Sequence, residues 1–179
     1  GLDGLDEVKK NINNKKLNKK NIISELKKPL ADRLLLIAQA LRLGNSVKEI
    51  YNASKVDKWF IEQIKRIVDK EIELKSKGLP KKPEEILKIK ALGFSDKKIS
   101  QLCGLSEDRI FDLRKKNKIF PDFKRIDTCA AEFKSMTPYM YSTYSKNYLN
   151  GDTCESNPSS KKKVIILGSG PNRIGQGVE

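Results

Sequence analysis

Residues 30–68 decide the fold, and they read LADRLLLIAQALRLGNSVKEIYNASKVDKWFIEQIKRIV. The apolar residues that recur at the spacing of one helical face are Leu30, Leu34, Ile37, Ala38 and Leu41. Gly44 suits the residue that ends this helix, and Ser46 with Glu49 predicts a capping box for the next one. Asp57 can cap a third helix, whose apolar face follows at Phe60, Ile61, Ile64, Ile67, Val68 and Ile72. We expect the faces around residues 34–41 and 60–68 to form the core, with Trp59 as a core or domain-contact anchor.

A second stretch repeats this pattern 49 residues later, without a gap. The matching pairs include Leu43-Gly44 with Leu92-Gly93, Ser46 with Ser95, Ile50 with Ile99, Asp57 with Ser106, Ile61 with Ile110 and Ile64 with Leu113. The intervening segment SKGLPKKP (residues 76–83) carries helix breakers and predicts a linker. We therefore predict a mainly α fold: a two-lobed helical domain over residues 29–118, built from a duplicated helix-turn-helix unit with repeats at about 40–65 and 89–114.

The charge of the chain is strongly positive, at +14 over 179 residues, and comes from lysine. Lysine outnumbers arginine by 30 to 7, and lysine with asparagine makes up 13 of the 21 residues between Val8 and Lys28. A basic arm over residues 1–28 could bind phosphates by releasing counterions. The absence of interleaved aromatic and arginine residues favours instead a solvated helix or loop enriched in lysine by compositional drift.

The composition excludes some kinds of catalytic and metal site and favours one cellular compartment. Histidine is absent, so Ser/His/Asp triads and histidine metal sites are excluded. No apolar run reaches the length of about 18 residues that a membrane span needs, and the polar residues 1–20 do not resemble a signal peptide. Cys103, Cys129 and Cys154 are odd in number and far apart, which favours the reducing cytoplasm over a disulfide framework.

The second repeat also matches a DNA-binding helix-turn-helix. Its turn contains Gly104, and its second helix is predicted over residues 107–116. A basic nucleic-acid-binding protein is therefore the alternative function. It is disfavoured because Glu107 and Asp108 would face the phosphates at the start of the recognition helix.

The C-terminal part of the chain loses helical periodicity after Phe120-Pro121. Residues 119–160 are polar and carry scattered aromatic residues, which predicts an extended connector whose rings dock on another surface. Residues 164–167 predict a strand that leads into a glycine loop with Gly168, Gly170, Gly175 and Gly177. The dinucleotide-binding fingerprint fails because Arg173 replaces its last glycine. One strand and one turn cannot form a parallel sheet, so a free-standing nucleotide-binding enzyme is excluded unless partners complete it.

Several stretches resemble the large subunit of carbamoyl phosphate synthetase. GSGPNRIGQGVE (168–179) is similar to the opening of that family's second synthetase half, and FKRIDTCAAEF with YMYSTY is similar to the connector before it. Residues 30–68 and LGFSDKKISQLCGLSEDRIFDLRK (92–115) resemble its helical oligomerisation domain. The resemblance covers almost the whole chain and is weak only in residues 8–28.

The resemblance implies a whole enzyme that makes carbamoyl phosphate from bicarbonate, ATP and glutamine-derived ammonia for pyrimidine and arginine synthesis. ATP, Mg²⁺ or Mn²⁺, and K⁺ would bind in the two synthetase halves, so we expect no catalytic, cofactor or metal site in this chain. Residues 161–179 would begin the second half's α/β pre-ATP-grasp domain. There Arg173 and Glu179 would be polar groups near an internal carbamate passage, and the four glycines would shape the loop.

This resemblance leads to the prediction of a non-catalytic central fragment that spaces the two synthetase halves and supports self-association. Its expected partners are the two halves, a glutamine amidotransferase subunit or domain, and a second copy of the chain. Neither nucleic acid nor a membrane is expected as a partner.

Overall fold

The architecture is mainly helical, as the sequence predicted. A computed structural model describes residues 5–10, 15–130, 132–144 and 154–165. The described helices are α1 (Asn21–Leu26), α2 (Arg33–Arg42), α3 (Val47–Ser54), α4 (Lys58–Lys77), α5 (Pro83–Ala91), α6 (Asp96–Cys103) and α7 (Glu107–Lys116). Two short strands follow, β1 (Asp122–Arg125) and β2 (Met140–Thr143), and they pair in one antiparallel sheet.

Two separate clusters of buried side chains divide the helices into two lobes. The first lobe is built around residues of α1 to α4, including Ile37, Ile50 and Ile61, which are fully or almost fully buried. The second lobe is built around the end of α4 and helices α5 to α7. Ile67, in the middle of α4, packs against both clusters. The 20-residue α4, about 30 Å long, therefore belongs to both lobes.

The predicted helix caps are confirmed. The Ser46 hydroxyl accepts from the Glu49 amide at 3.2 Å, and the Ser46 amide donates to the Glu49 carboxylate at 2.7 Å, which completes the capping box. The Asp57 carboxylate accepts from the Trp59 amide at 2.8 Å at the start of α4. These bonds satisfy backbone amides that the N-termini of α3 and α4 would otherwise leave unpaired. The two helices therefore begin directly after their cap residues.

Two residues 49 positions apart end their helices in the left-handed conformation, and they give a matched test. Lys55 follows α3 with φ 58°, and Gly104 follows α6 with φ 65°. We expect Gly104→Ala to lower the free energy of unfolding by about 1 kcal/mol, because only glycine adopts this conformation without steric cost. A Cβ at Gly104 would meet no neighbouring atom within 4 Å. The expected cost therefore comes from the left-handed backbone conformation and not from crowding by other residues.

The matched variant is Lys55→Gly, which we expect to raise the free energy of unfolding by about 0.5–1 kcal/mol for the same reason. Urea unfolding of both variants measures the two changes. Changes of the same sign in the two variants would contradict this explanation.

The predicted linker over residues 76–83 is wrong at both ends. Ser76 and Lys77 belong to α4, which ends at Gly78 with φ 73°, and Pro83 is the first residue of α5. Proline is favoured at this first position because its fixed φ suits a helix and its missing N–H would have no partner there. The break between the helices is therefore only residues 78–82.

The lysine-rich segment before residue 29 is partly buried. Its described lysines are exposed, as the sequence predicted, at Lys9, Lys10, Lys15, Lys16, Lys19, Lys20, Lys27 and Lys28. Leu5, Leu17, Ile22 and Leu26, however, lie in the first core, the last two within α1. The interpretation as a wholly solvated helix or loop is therefore wrong for the apolar residues. Their irregular spacing hid them from a search for helical periodicity.

The connector contains a small sheet that the sequence did not predict. Asp122 pairs with Thr143, and Arg125 pairs with Met140. The amide of Glu155 donates to the carbonyl of Phe123 at 2.8 Å, which brings a third segment against β1. The connector is therefore held by backbone pairing between residues far apart in sequence.

Candidate association surface

The beginnings of α2 and α4 lie at the same end of the first lobe. The guanidinium of Arg33, the first residue of α2, donates to the backbone carbonyl of Ser54, three residues before the cap of α4. At the other end of α2, Arg42 pairs with Glu71, which lies far along α4. The two helices therefore run in the same general direction.

Apolar side chains at this end are uncovered although their helical neighbours are buried. Leu34 is 54% exposed and Phe60 is 57% exposed, while Ala38 and Ile64, one turn further along the same faces, are buried. Trp59 is 59% exposed, so it does not lie in the core. Ile61, next to Phe60 in the first turn of α4, is fully buried, so the exposed side chains lie at the edge of the packed faces.

The aromatic rings at this end contact one another and nearby cations. The rings of Trp59 and Phe60 lie edge to face, with centroids 4.9 Å apart and an interplanar angle of 88°. The ammonium groups of Lys55 and Lys58 lie 5.8 Å and 5.0 Å from the centre of the Tyr51 ring. We call Tyr51, Trp59 and Phe60, with Lys55 and Lys58, the aromatic end.

The aromatic end has a positive electrostatic character. The first turn of α4 carries no acidic residue, and Lys58 is its first residue. A helix N-terminus bears a partial positive charge, and the two cations Lys55 and Lys58 outnumber the single Asp57 carboxylate that caps this one. This surface therefore suits a partner that is both apolar and negatively charged.

The start of α7 in the second lobe has the opposite character. Glu107 and Asp108 occupy its first turn and are exposed, and Phe111 on the next turn is 48% exposed. We call these three residues the acidic end. The carboxylates sit where the helix dipole favours them, and they would repel the phosphates of a nucleic acid docked on α7.

An ion network that sequence reasoning missed holds the second lobe together. The Asp96 carboxylate accepts from the Arg114 guanidinium at 2.6 Å and 2.9 Å and from the Lys90 ammonium at 2.8 Å. Burial tends to raise the pKa of Asp96, but the hydrogen bonds from Arg114 and Lys90 outweigh it, so its pKa is lowered. The network joins α5, α6 and α7 through three nearly buried charges.

The same network contacts the connector. The Lys90 ammonium lies 5.2 Å from the centre of the Tyr144 ring, and Arg114 donates to the Ile119 carbonyl at 3.0 Å. Tyr144 thus docks on the second lobe, as expected of a connector ring. Phe133 is largely exposed and Tyr141 is half exposed, so the docking of these two rings stays a prediction.

A groove of about 580 Å³ runs between the α4–α5 connection and helices α6 and α7. Its apolar wall contains Leu79, Leu105 and Leu113, and Cys103 also lines it. Burial raises the pKa of the Cys103 thiol, so the thiol is less reactive at neutral pH than an exposed one. The groove is also lined by the charged residues Lys81, Arg109, Asp112 and Lys116.

The glycine loop predicted from the sequence lies outside the described residues. This applies to its four glycines, Gly168, Gly170, Gly175 and Gly177, and to Arg173 and Glu179. Val164 and Ile165, in the predicted strand 164–167, are described and are exposed without strand pairing. The predicted role of the loop therefore stays a prediction.

The described ranges contain no group of three or more cysteine, aspartate or glutamate residues that could hold a metal ion. No helix in those ranges is long and apolar enough to cross a membrane.

Comparison with known proteins gives one consistent match. Residues 1–118 match the family model described as "Carbamoyl-phosphate synthetase large chain, oligomerisation domain". Relatives named carbamoyl phosphate synthase large chain include those of Rhizobium meliloti (strain 1021), 46% identical over 180 residues, and of Brucella melitensis biotype 1, 46% identical over 181 residues. The large chain of Vibrio cholerae serotype O1 is 48% identical over 156 residues, which are 87% of this chain.

These relatives are much longer than this chain. The alignment with the Rhizobium protein covers 100% of this chain and 16% of the relative, and that with the Brucella protein covers 100% and 15%. The Vibrio alignment covers 14% of its relative. The chain thus spans about one sixth of the length of the curated relatives it matches.

Proposed function

The chain belongs to the family of the carbamoyl-phosphate synthetase large-chain oligomerisation domain, and we propose that it is a non-catalytic central region of such a large chain. The activity proposed for the parent protein is ATP-dependent synthesis of carbamoyl phosphate from bicarbonate and glutamine-derived ammonia. That product would feed pyrimidine and arginine synthesis. The match of residues 1–118 to the family model supports this assignment.

The mechanical role proposed for this region is to space the two synthetase halves and to associate with another copy. The observation that carries the second part is the aromatic end, where Trp59 and Phe60 are more than half exposed on well-packed helices. Exposed apolar groups that adjoin a packed core mark interaction surfaces. The rigid α4, shared by both lobes, supports the spacing role.

Cofactors and other partners follow from the same proposal. ATP, Mg²⁺ or Mn²⁺, and K⁺ would bind in the synthetase halves rather than in this chain. A glutamine amidotransferase subunit or domain would supply ammonia, and the cytoplasm is the proposed location. Arg173 and Glu179 are proposed to lie near the carbamate passage.

We also propose that the helical region arose by duplication of one unit. Ser46 and Ser95 cap helices of eight residues each, and their hydroxyls accept from the third amide of each helix. Gly44 and Gly93, which precede these caps, both have positive φ, at 81° and 93°. Conformation and capping thus recur at the spacing of 49 residues found in the sequence.

The proposed function predicts that the 179-residue chain self-associates weakly. Stable interfaces bury about 800 Å² per partner, and the aromatic end consists of only a few side chains, so we expect a Kd of about 100 μM. Sedimentation velocity from about 10 μM to 1 mM measures it. A chain that stays monomeric throughout that range would contradict the proposal.

A further inference from the structure

We propose that two copies of the chain associate by contact between the aromatic end of one copy and the acidic end of the other. This inference rests on the self-association proposed above and specifies which surfaces carry it. It identifies a second copy of the chain as the partner that covers Trp59 and Phe60.

The first support is an internal comparison between the two units. Helices α4 and α7 begin 49 residues apart, so Lys58, Trp59 and Phe60 correspond to Glu107, Asp108 and Arg109. The second unit has the acidic first turn that a helix dipole favours. The first unit has a lysine and two exposed aromatic side chains at the same positions.

At these three positions, the residues of the first unit therefore stabilise the start of their helix less than the residues of the second unit do. The Asp57 carboxylate stabilises the start of α4, but Lys58 next to it is unfavourable at a helix N-terminus, and the exposed rings of Trp59 and Phe60 are not buried by the fold. The fold does not require these residues, because α7 begins in the same way, with a side-chain cap, without them. A binding partner that covers the rings and balances the lysines accounts for the departure.

The second support is the charge complementarity of the two ends. Lys58 and Lys55 at the aromatic end can pair with Glu107 and Asp108 at the acidic end. The exposed Arg109 guanidinium can stack on an exposed ring, as arginine does at interfaces. The aromatic end therefore presents aromatic rings and ammonium groups. The acidic end presents carboxylates, with the guanidinium of Arg109 beside them.

Each copy has both ends, which makes the contact directional. Lys58 of one copy meets Glu107 of another, whereas two aromatic ends brought together would place lysines against lysines. This rule yields a test in which charges are exchanged between the two surfaces.

The experiment measures the Kd of self-association by sedimentation for Lys58→Glu, for Glu107→Lys and for the double variant. We expect each single variant to weaken association at least fivefold, because it sets like charges against each other at the contact. The double variant restores opposite charges and is expected to return to within about twofold of the original Kd. Lys97→Glu, at an exposed position on α6, is the control for the change in net charge and is expected to leave the Kd unchanged.

Mixing the two single variants gives a second, sharper measurement. Each variant alone has two ends of like charge, but the aromatic end of the Lys58→Glu chain can pair with the acidic end of the Glu107→Lys chain. We therefore expect the equimolar mixture to associate about as strongly as the original chain, with mixed complexes visible by native mass spectrometry. Circular dichroism and thermal melting of each variant verify that it is folded.

The outcomes separate this inference from the proposed function. If the original chain does not associate, the proposed self-association and this inference both fail. If it associates and Lys58→Glu behaves like Lys97→Glu, only the inference fails. If the single variants weaken association but neither the double variant nor the mixture restores it, the pairing of these two ends is refuted.

Discussion

Replacing Asp96 with asparagine is expected to lower the free energy of unfolding by about 3 kcal/mol, because it leaves two nearly buried cations without their counter-charge. The side chains of Lys90 and Arg114 are 6% and 11% exposed, and both bond to this carboxylate. Asparagine keeps the shape of the side chain, so the loss reports charge rather than packing. Urea unfolding monitored by circular dichroism measures it.

The matched control for Asp96 is Asp112→Asn, an equivalent change at an exposed position on α7. We expect this control to change the free energy of unfolding by less than about 0.5 kcal/mol. Equal losses in the two variants would show that the network does not stabilise the second lobe.

The pH dependence of this contribution has a definite sign. The pKa of Asp96 is lowered in the folded chain by Arg114 and Lys90, despite the opposing effect of burial. Its contribution is therefore present above the unfolded pKa of about 3.9 and is lost as the pH falls through the lower, folded pKa. The difference in stability between the original chain and Asp96→Asn should shrink below about pH 4.

Replacing Glu71 with glutamine is expected to destabilise the first lobe by about 3 kcal/mol. The Glu71 carboxylate accepts from the Arg42 guanidinium at 2.8 Å, and these side chains are 4% and 9% exposed. Arg42 also donates to the carbonyl of Leu5, so the same pair ties the N-terminal segment to the core. Thermal melting measures the loss. The Leu17 amide donates to the Lys9 carbonyl at 2.9 Å within that segment, so its hydrogen exchange reports release of the segment.

Glu62→Gln is the matched control for Glu71, because Glu62 lies on the same helix and is exposed. It is expected to leave both the melting temperature and the exchange rate nearly unchanged. Faster exchange of the Leu17 amide in the control as well would contradict a specific role for Glu71.

Local signals in the sequence predicted the helical part of the fold well. A capping box depends on residues three apart, so Ser46 and Glu49 could be read directly from the chain. Apolar periodicity over residues 34–41 and 60–68 predicted buried faces in α2 and α4, although it could not show that Leu34 and Phe60 lie at the exposed edges of those faces. Where a packed face ends depends on the neighbouring helices, which is a tertiary property.

Features that join distant residues escaped prediction. Asp96 and Arg114 are 18 residues apart, and Arg42 and Glu71 are 29 apart, so no spacing rule pairs them. The β1–β2 pairing has short strands, with DFKR and MYST as their sequences, and lacks the alternation that marks a strand. The aromatic end could be found from sequence only by noticing that residues 58–60 depart from residues 107–109.

The position of Ile67 in both cores fixes the relative angle of the two lobes as well as their separation. Each residue of an α-helix adds about 1.5 Å and a rotation of about 100°. An insertion of one residue in the middle of α4 would thus turn the second lobe by more than a quarter of a revolution relative to the first. The length of this one helix therefore determines the orientation of the second lobe relative to the first.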